Sequence, residues 1–210
     1  MVQTHLSQWD ERSRNRYGYT CPLRFGIMAD PSGVECRIKQ TLLSMLSEMS
    51  FRDVTVRALC GRAHIGRGTF YLHYKNLNDL LDSIIDEVLG NDPPDKWYRC
   101  GFRKGEPYNC PYGICDKVRA HPGTAVVFFD ESLAPRIIER VSAFSKEMYV
   151  RSLMAQCDLT RTEAETIFVF QLNGCLAVNR LSYQRGDVDW ENGRDLIAGF
   201  IQGGIERYAR

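Results

Sequence analysis

The sequence lacks any long apolar run. No stretch of its 210 residues approaches the roughly 20 apolar residues that a membrane-spanning helix needs, and the opening MVQTHLSQWD has no apolar segment typical of a signal peptide. These absences predict a cytoplasmic protein with no membrane partner. Strong net charge is also absent, because 27 basic and 26 acidic residues leave +1. Only a local cluster of charge could therefore indicate nucleic-acid binding.

The alternation of apolar and polar residues typical of β-strands is also missing. Apolar residues instead recur at helical spacing, and the hydrophobic content of 44% is sufficient for a core. The sequence therefore predicts an all-α fold.

The stretch from residue 54 to 75 is the most informative part of the chain. Its apolar residues follow one buried helix face, break at a glycine-containing turn, and resume one helical turn apart. These residues are Val56, Leu59, Cys60 and Ala63, the turn His64-Ile65-Gly66, then Phe70 and Tyr74. Two short helices joined by such a turn are typical of a helix-turn-helix motif.

Basic residues cluster on this motif. Between Arg52 and Lys75 five basic residues face one acid, Asp53, which gives a local balance of +4. A basic patch on a helix-turn-helix motif indicates a double-stranded DNA reader. The side chains expected along the DNA are Thr55, Arg57, Arg67, Gly68, Thr69, Tyr71, His73, Tyr74 and Lys75.

Over about residues 34 to 90 the chain resembles the tetracycline-repressor family of bacterial transcriptional regulators. The resemblance is carried by Phe51, Thr55-Val56, Ala63-His64-Ile65-Gly66 and the run Arg67-Gly68-Thr69-Phe70-Tyr71-Leu72-His73-Tyr74. It implies a helix-turn-helix domain of three helices followed by a helical domain for ligand binding and dimerisation. It also implies a homodimer formed by the last two helices, a palindromic operator and a small-molecule effector.

Three residues depart from the family pattern. His64 replaces the usual turn glycine, so a bulkier residue must hold that backbone geometry. Gly66 replaces the usual capping serine, and Leu77 stands where lysine is frequent. The last two changes remove expected phosphate contacts, and Lys75 is the candidate to replace one of them.

Composition divides the chain into three parts. Residues 1–33 are polar, with several glycines and prolines, and we expect a flexible extension. An arm for the minor groove is the alternative, and Met28 is a second candidate start. Residues 34–90 form the helix-turn-helix domain with a connecting helix, whose outer surface we expect to be acidic. Residues 91–210 form the helical regulatory and dimerisation domain.

Capping residues mark the helix ends in the second domain. Pro122 is expected at the first position of a helix, and Ser132 is expected to cap the long helix that follows. Thr160 and Glu163 fit a capping box that opens a helix ending at Gly186. The apolar stripe of the long helix is expected to comprise Leu133, Ile137, Val141, Phe144, Met148 and Leu153.

The last two helices, about residues 161–185 and 190–208 with Asp189 as a cap, carry apolar residues on more than one face. A helix that is apolar all round is buried all round, so one face needs a second copy of the chain. Completion of the monomer core is the alternative.

The effector site that the resemblance implies has aromatic and amide candidates, although none of them identifies the ligand. Plain core packing is the alternative for each. The candidates are Trp97, Phe128, Phe144, Phe168 and Gln171.

Three of the eight cysteines lie close together: Cys100, Cys110 and Cys115, with His121 six residues beyond. Zinc accepts such a set, although the spacing lacks the usual C-x2-C hook. A redox pair of Cys110 and Cys115 and simple packing stay open beside it. Four of the other five cysteines, at 36, 60, 157 and 175, are expected to pack in the core.

The sequence thus predicts a DNA-binding transcriptional regulator with no certain cofactor. We expect a dimeric repressor, controlled by an effector that the Cys100–His121 segment senses. The alternative is a redox- or metal-responsive sensor that uses Cys110 and Cys115 and binds DNA weakly or without sequence specificity. Catalysis by a thiol with His121 as base is not expected, because no element supplies an oxyanion site.

Overall fold

The computed structural model describes residues 33–90, Val118, and residues 122–186 and 190–210. Within these ranges the chain is helical, and β-pairing is confined to a single bridge between Cys157 and Ala209. The predicted all-α fold is confirmed. The α-helices are α1 (Val34–Leu46), α2 (Val56–Arg62), α3 (Arg67–His73), α4 (Leu77–Gly90), α5 (Pro122–Phe128), α6 (Ala134–Gln156), α7 (Arg161–Arg185) and α8 (Trp190–Glu206).

The first four helices turn apolar side chains into a core that continues through α5–α8. Helix α1 packs against α2, and α2 packs against α3. Ile38, Leu42, Met45 and Leu46 of α1 are buried, and the helix ends at Leu46. It ends there because the N–H groups of Glu48 and Met49 both bond to the Met45 carbonyl, which closes the chain into a turn. The fully buried side chains of α4 are Leu80, Leu81, Ile84 and Ile85.

An ion pair joins α1 to α4 at the side of this core. The Lys39 ammonium lies 2.8 Å from a Glu87 carboxylate oxygen, and both side chains are largely buried. Burial alone would lower the pKa of Lys39, but the hydrogen bond to Glu87 and the nearby charges raise it above its usual value. The pair therefore keeps Lys39 charged inside the domain.

Two expectations for α6 are wrong in detail. Ser132 does not cap α6; instead Asp130 accepts hydrogen bonds from the backbone N–H and the hydroxyl of Ser132, which closes a 3-10 turn over Glu131–Leu133. The buried face of α6 continues from Val141 through Ser145 and Tyr149, and Phe144 is exposed. The predicted face through Phe144 and the observed face through Ser145 and Tyr149 both fit helical spacing. Packing against α7 selects the face that includes the polar residues.

The ends of α7 agree with the sequence. Thr160 and Glu163 form the predicted capping box, with both reciprocal hydrogen bonds present. Gly186 ends the helix in the left-handed conformation, at φ 66°, which glycine adopts without steric cost. The predicted cap of α8, Asp189, lies outside the described residues.

The exposed faces of α7 and α8 are apolar. One face of α7, which includes Phe168 and Leu172, is buried in the monomer, whereas Val169 and Phe170 point outward. On α8, Ile205 is buried but Phe200 is 73% exposed. Apolar side chains therefore face solvent on both of these helices.

None of the helices in the described ranges combines the length and apolarity needed to cross a membrane. The predicted extension over 1–33 lies outside those ranges except for Gly33, and so do residues 91–117, which follow the predicted domain limit at 90. The domain limits at 33 and 90 therefore stay predictions.

Candidate nucleic-acid interface

Helix α2 supports the motif. The Thr55 side-chain oxygen accepts a hydrogen bond at 3.1 Å from the backbone N–H of Ala58, so this threonine caps the helix. That bond satisfies one of the N–H groups that a helix start leaves free. The buried face of α2 and its C-cap comprises Leu59, Cys60 and Ala63. Arg57 stands on the exposed side.

The turn between α2 and α3 is a left-handed helix end. The Ile65 N–H donates to the Cys60 carbonyl at 3.0 Å, and the His64 N–H donates to the Gly61 carbonyl at 3.3 Å. Those two bonds define a Schellman motif, which needs a left-handed residue. His64 adopts that conformation, at φ 51°. A histidine therefore holds the backbone geometry for which the family pattern has glycine.

Helix α3 is fixed by Phe70, which is fully buried. With Phe70 turned inward, Gly68 and Leu72 lie on the opposite face, and Arg67 and Tyr71 beside them are also exposed. Thr69 and His73 lie on the flanks. Gly66 occupies the N-cap position with no side-chain bond. Because glycine stands where the family pattern has serine, the start of α3 has no side-chain cap.

The cations around α3 fall into two groups. Arg62 is tied to Glu48, with 2.5 Å between guanidinium nitrogen and carboxylate oxygen. This hydrogen bond lowers the pKa of Glu48 and raises the pKa of Arg62. Arg57, Arg67 and Lys75 are exposed, and the described part of the chain supplies no salt-bridge partner to them. Their charge is therefore available to an external anion.

His73 is held in a defined orientation by α1. Its Nδ1 lies 3.0 Å from a carboxylate oxygen of Glu35. An ionised carboxylate only accepts hydrogen bonds, so the ring donates from Nδ1 and directs Nε2 elsewhere. Sequence reasoning missed this role of Glu35, because no local pattern relates residues 38 positions apart.

The structure places Tyr74 in the core rather than on the exposed surface where a DNA contact was expected. Its side chain is only 6% exposed, and its ring lies 5.9 Å from the Phe70 ring. Burial raises the pKa of Tyr74, opposed by Lys39 and by a hydrogen bond with Ser83. Its position is explained by the spacing of four residues from Phe70, which puts both rings on the buried face.

Two hydrogen bonds cap the start of α4, and the exposed side chain of Lys75 lies beside them. The Lys75 N–H donates to a carboxylate oxygen of Asp79 at 2.9 Å, and the Asp79 N–H donates to the Asn76 side chain at 3.0 Å. Leu77 is half-buried against the core, so the residue that departs from the family pattern has a packing role. The Lys75 side chain is exposed beside it.

The acidic surface predicted for α4 is largely neutralised by the second domain. Arg136 donates from Nε and from Nη2 to the two carboxylate oxygens of Asp82, each at 2.6 Å. One turn further along, Arg140 binds Asp86 in the same manner, with Nε 3.0 Å from the carboxylate. These two pairs, hereafter the α4–α6 ladder, fasten the connecting helix to the second domain. The equal four-residue spacing of the acids and the arginines was the available sequence signal.

The effector candidates are divided by the structure. Phe128, Phe168 and Gln171 are buried, whereas Phe144 is exposed; Trp97 lies outside the described residues. The Tyr149 hydroxyl donates to the side-chain carbonyl of Gln171, and the Tyr149 and Phe168 rings lie 5.5 Å apart. Gln171 and Phe168 are thus brought together between α6 and α7, with Tyr149 in contact with both.

The proposed metal or redox residues Cys100, Cys110, Cys115 and His121 lie outside the described residues. Among the residues that are described, no group of His, Cys, Asp or Glu side chains could hold a metal ion. Cys60, Cys157 and Cys175 are buried. Burial raises the pKa of each thiol, to about 11 for Cys175, which is the behaviour of packing cysteines rather than reactive ones.

These features define an all-α helix-turn-helix protein. A short exposed helix is flanked by cations that have no salt-bridge partner among the described residues, and α4 is fastened to α6 of the second helical part. No family model matches the chain. Over 58 residues it is 24% identical to a protein of Bacillus subtilis (strain 168) described as the uncharacterized HTH-type transcriptional regulator YxbF. The matched stretch is 28% of this chain and spans only 15% of that protein.

A similar solved structure is that of the dihydroxyacetone kinase operon activator DhaS. The two structures superpose with a TM-score of 0.52 at 14% sequence identity, and the match covers 84% of this chain and 98% of that one. At this identity the similarity concerns the fold. It extends over both helical parts of the chain, beyond the helix-turn-helix motif.

Proposed function

We propose that this protein is a DNA-binding transcriptional regulator of the tetracycline-repressor type. One observation carries the proposal: Arg57, Arg67 and Lys75 are exposed and unpaired within the described ranges around the outward face of α3. Cations held without carboxylate partners on a helix-turn-helix surface suit the phosphates of double-stranded DNA. The similarity to two transcription regulators supports the same function.

The contacts divide by position along α3. Arg67 and Thr69 stand at its first turn, where side chains of a recognition helix reach base edges. Tyr71, His73 and Lys75 follow, and we assign them to phosphate. The Glu35 carboxylate fixes the orientation of the His73 ring through Nδ1, and in the imidazolium form, in which both ring nitrogens carry a hydrogen, Nε2 donates to a phosphate oxygen.

Two substitutions test the division. Lys75→Ala should weaken binding evenly across sequences and flatten the dependence of log K on log salt by about one unit. Arg67→Ala should change sequence preference if its guanidinium reaches a guanine. Arg151→Ala is the matched control, an exposed arginine of α6 outside the helix-turn-helix motif. Unchanged affinity and salt slope in both test variants would refute the assignment.

We also propose that the regulator is a twofold dimer formed through α7 and α8. Phe170 is 69% exposed and Phe200 73% exposed on these two helices. Apolar surface of this kind is expected at an interface between copies, and a twofold dimer matches the palindromic sites of helix-turn-helix proteins.

Phe200→Glu should yield a monomer in sedimentation, because it places a charge inside the proposed interface. Phe144→Glu is the control, since it alters an exposed aromatic residue outside α7 and α8. A folded monomer of the unmodified protein at micromolar concentration would contradict the dimer.

The regulation proposed here is repression relieved by an effector in the second domain. Its physical support is the α4–α6 ladder, which makes the position of α4 depend on α6. A coupling of about 1–3 kcal/mol between the two sites is sufficient for regulation. Selecting bound sequences from a random duplex pool tests DNA binding, half-site sequence and twofold symmetry together, and recovery of no enriched sequence would refute the proposal.

A further inference from the structure

The outermost side chain of α3 is apolar. Leu72 is 84% exposed, more than any other large apolar side chain in the described ranges. Within residues 33–90 the only other exposed large apolar side chain is its neighbour Tyr71. Every other strongly exposed apolar residue lies on α6, α7 or α8 or near the chain end, away from the helix-turn-helix motif.

The geometry of α3 makes Leu72 prominent. Residues four apart lie one above the other on a helix, so Gly68 and Leu72 form the ridge opposite Phe70. Gly68 contributes no side chain, and a Cβ placed there would meet no atom within 4 Å. The ridge therefore consists of bare backbone followed by one leucine, with Arg67 and Tyr71 beside it. That shape allows the helix to approach a surface closely and to touch it with Leu72.

In the major groove of DNA the one apolar feature on a base edge is the 5-methyl group of thymine. We propose that Leu72 packs against that methyl group and selects thymine at one position of each half-site. This inference rests on the proposed function, and it adds a specificity-determining residue to Arg67 and Thr69, between Tyr71 and His73, which we assign to phosphate. Leucine offers no hydrogen bond, so the selection would depend on apolar contact alone.

The test uses the full chain and the site selected from a random duplex pool. Each thymine of that site is replaced in turn by deoxyuridine, which removes only the methyl group. One position per half-site should lose about fourfold in affinity, and both together about fifteenfold, as expected for one methyl-sized group taken out of an apolar contact. Leu72→Ala changes both half-sites, so its affinity for the unmodified site should be about fifteenfold lower than that of the parent protein. Replacing the thymines by deoxyuridine should then lower the affinity of this variant by less than a further twofold.

Two further variants sharpen the result. Leu72→Gln should select adenine in place of that thymine, because a glutamine side chain pairs with the adenine edge. Lys75→Ala should bind more weakly overall but keep the full deoxyuridine loss. Thermal melts of both Leu72 variants should match the parent, since the side chain is outside the core.

The failures are distinguishable. If the pool yields no enriched sequence and binding shows no salt dependence, the proposed function fails and this inference fails with it. If a site is enriched but contains no methyl-sensitive thymine, or if Leu72→Ala keeps the sensitivity, DNA binding stands and the role of Leu72 is refuted. A loss of affinity in Leu72→Ala without any methyl sensitivity would place the leucine on sugar or backbone, and would also overturn thymine selection.

Discussion

Removing one arginine of the α4–α6 ladder should cost more stability than removing an ordinary surface arginine. Arg136→Ala leaves Asp82 without the two 2.6 Å bonds that satisfy both of its oxygens. The side chains of the pair are 32% and 22% exposed, which lies between a surface pair and a buried one.

The magnitude follows from that position. Exposed pairs contribute about 0.2–1 kcal/mol, whereas breaking a fully buried pair costs about 3–5 kcal/mol. A two-point, partly buried pair should therefore lower the free energy of unfolding by about 1–2 kcal/mol when Arg136 is truncated. Arg151→Ala is the control on the same helix. Its pair with Glu147 is well exposed, and Glu147 keeps Arg161, so the loss should stay near 0.3–0.5 kcal/mol.

The assay is urea unfolding followed by circular dichroism, with Asp82→Ala and the double variant completing a cycle. The coupling energy should be about 1 kcal/mol at low salt and smaller at 1 M salt, where exposed charges are screened. Equal losses in Arg136→Ala and Arg151→Ala, or a coupling under about 0.3 kcal/mol, would refute the view that the ladder fastens the two domains.

Three other predictions concern single positions. His64→Gly should raise the melting temperature by relieving a left-handed histidine, with a net gain of about 0.5–1 kcal/mol after the added chain entropy of glycine, while His64→Val should lower it. Gly66→Ser should stabilise the protein by a similar amount, because the backbone already has N-cap geometry and a Cβ there meets only ordinary contact. Hydrogen bonds from Arg161 and Arg151 lower the pKa of Glu147 from 4.5 to about 2. Its contribution to stability is therefore present above pH 4.5 and lost as the pH falls towards 2, and Glu147→Gln should flatten an acid titration of stability over that range.

Local signals in the sequence predicted local structure well. The capping box at Thr160 and Glu163 and the glycine end at Gly186 were found because each depends on residues a few positions apart. The left-handed turn at His64 was anticipated from the family resemblance, whose pattern has glycine at that position. A short backbone motif needs no knowledge of the rest of the molecule.

Features that depend on packing were not predicted. After Val141, the buried face of α6 could continue through Phe144 or through Ser145 and Tyr149, since both choices fit helical spacing. Composition favours the more apolar choice, which is wrong, because contact with α7 decides which face is buried. The acids of α4 were assigned to an outer surface because their partners, Arg136 and Arg140, are 54 residues away. Leu72 carries no charge and no hydrogen-bonding group, so no local pattern assigns it to DNA, and its exposure is known only from the fold.

Helix α3, which we propose reads the DNA, has seven residues, and this short length affects how the protein responds to heating and to substitutions in its core. Isolated helices shorter than about 12 residues are marginal in water, so α3 exists as a helix only while Phe70 and Tyr74 hold it to the core. If the core contacts of Phe70 and Tyr74 weaken, α3 should unfold locally, and the proposed DNA-binding surface would be lost before the whole chain unfolds. Amide hydrogen exchange should show α3 opening together with α2. Substitutions in the core of this domain that touch no DNA should weaken DNA affinity most steeply near the upper end of the working temperature range.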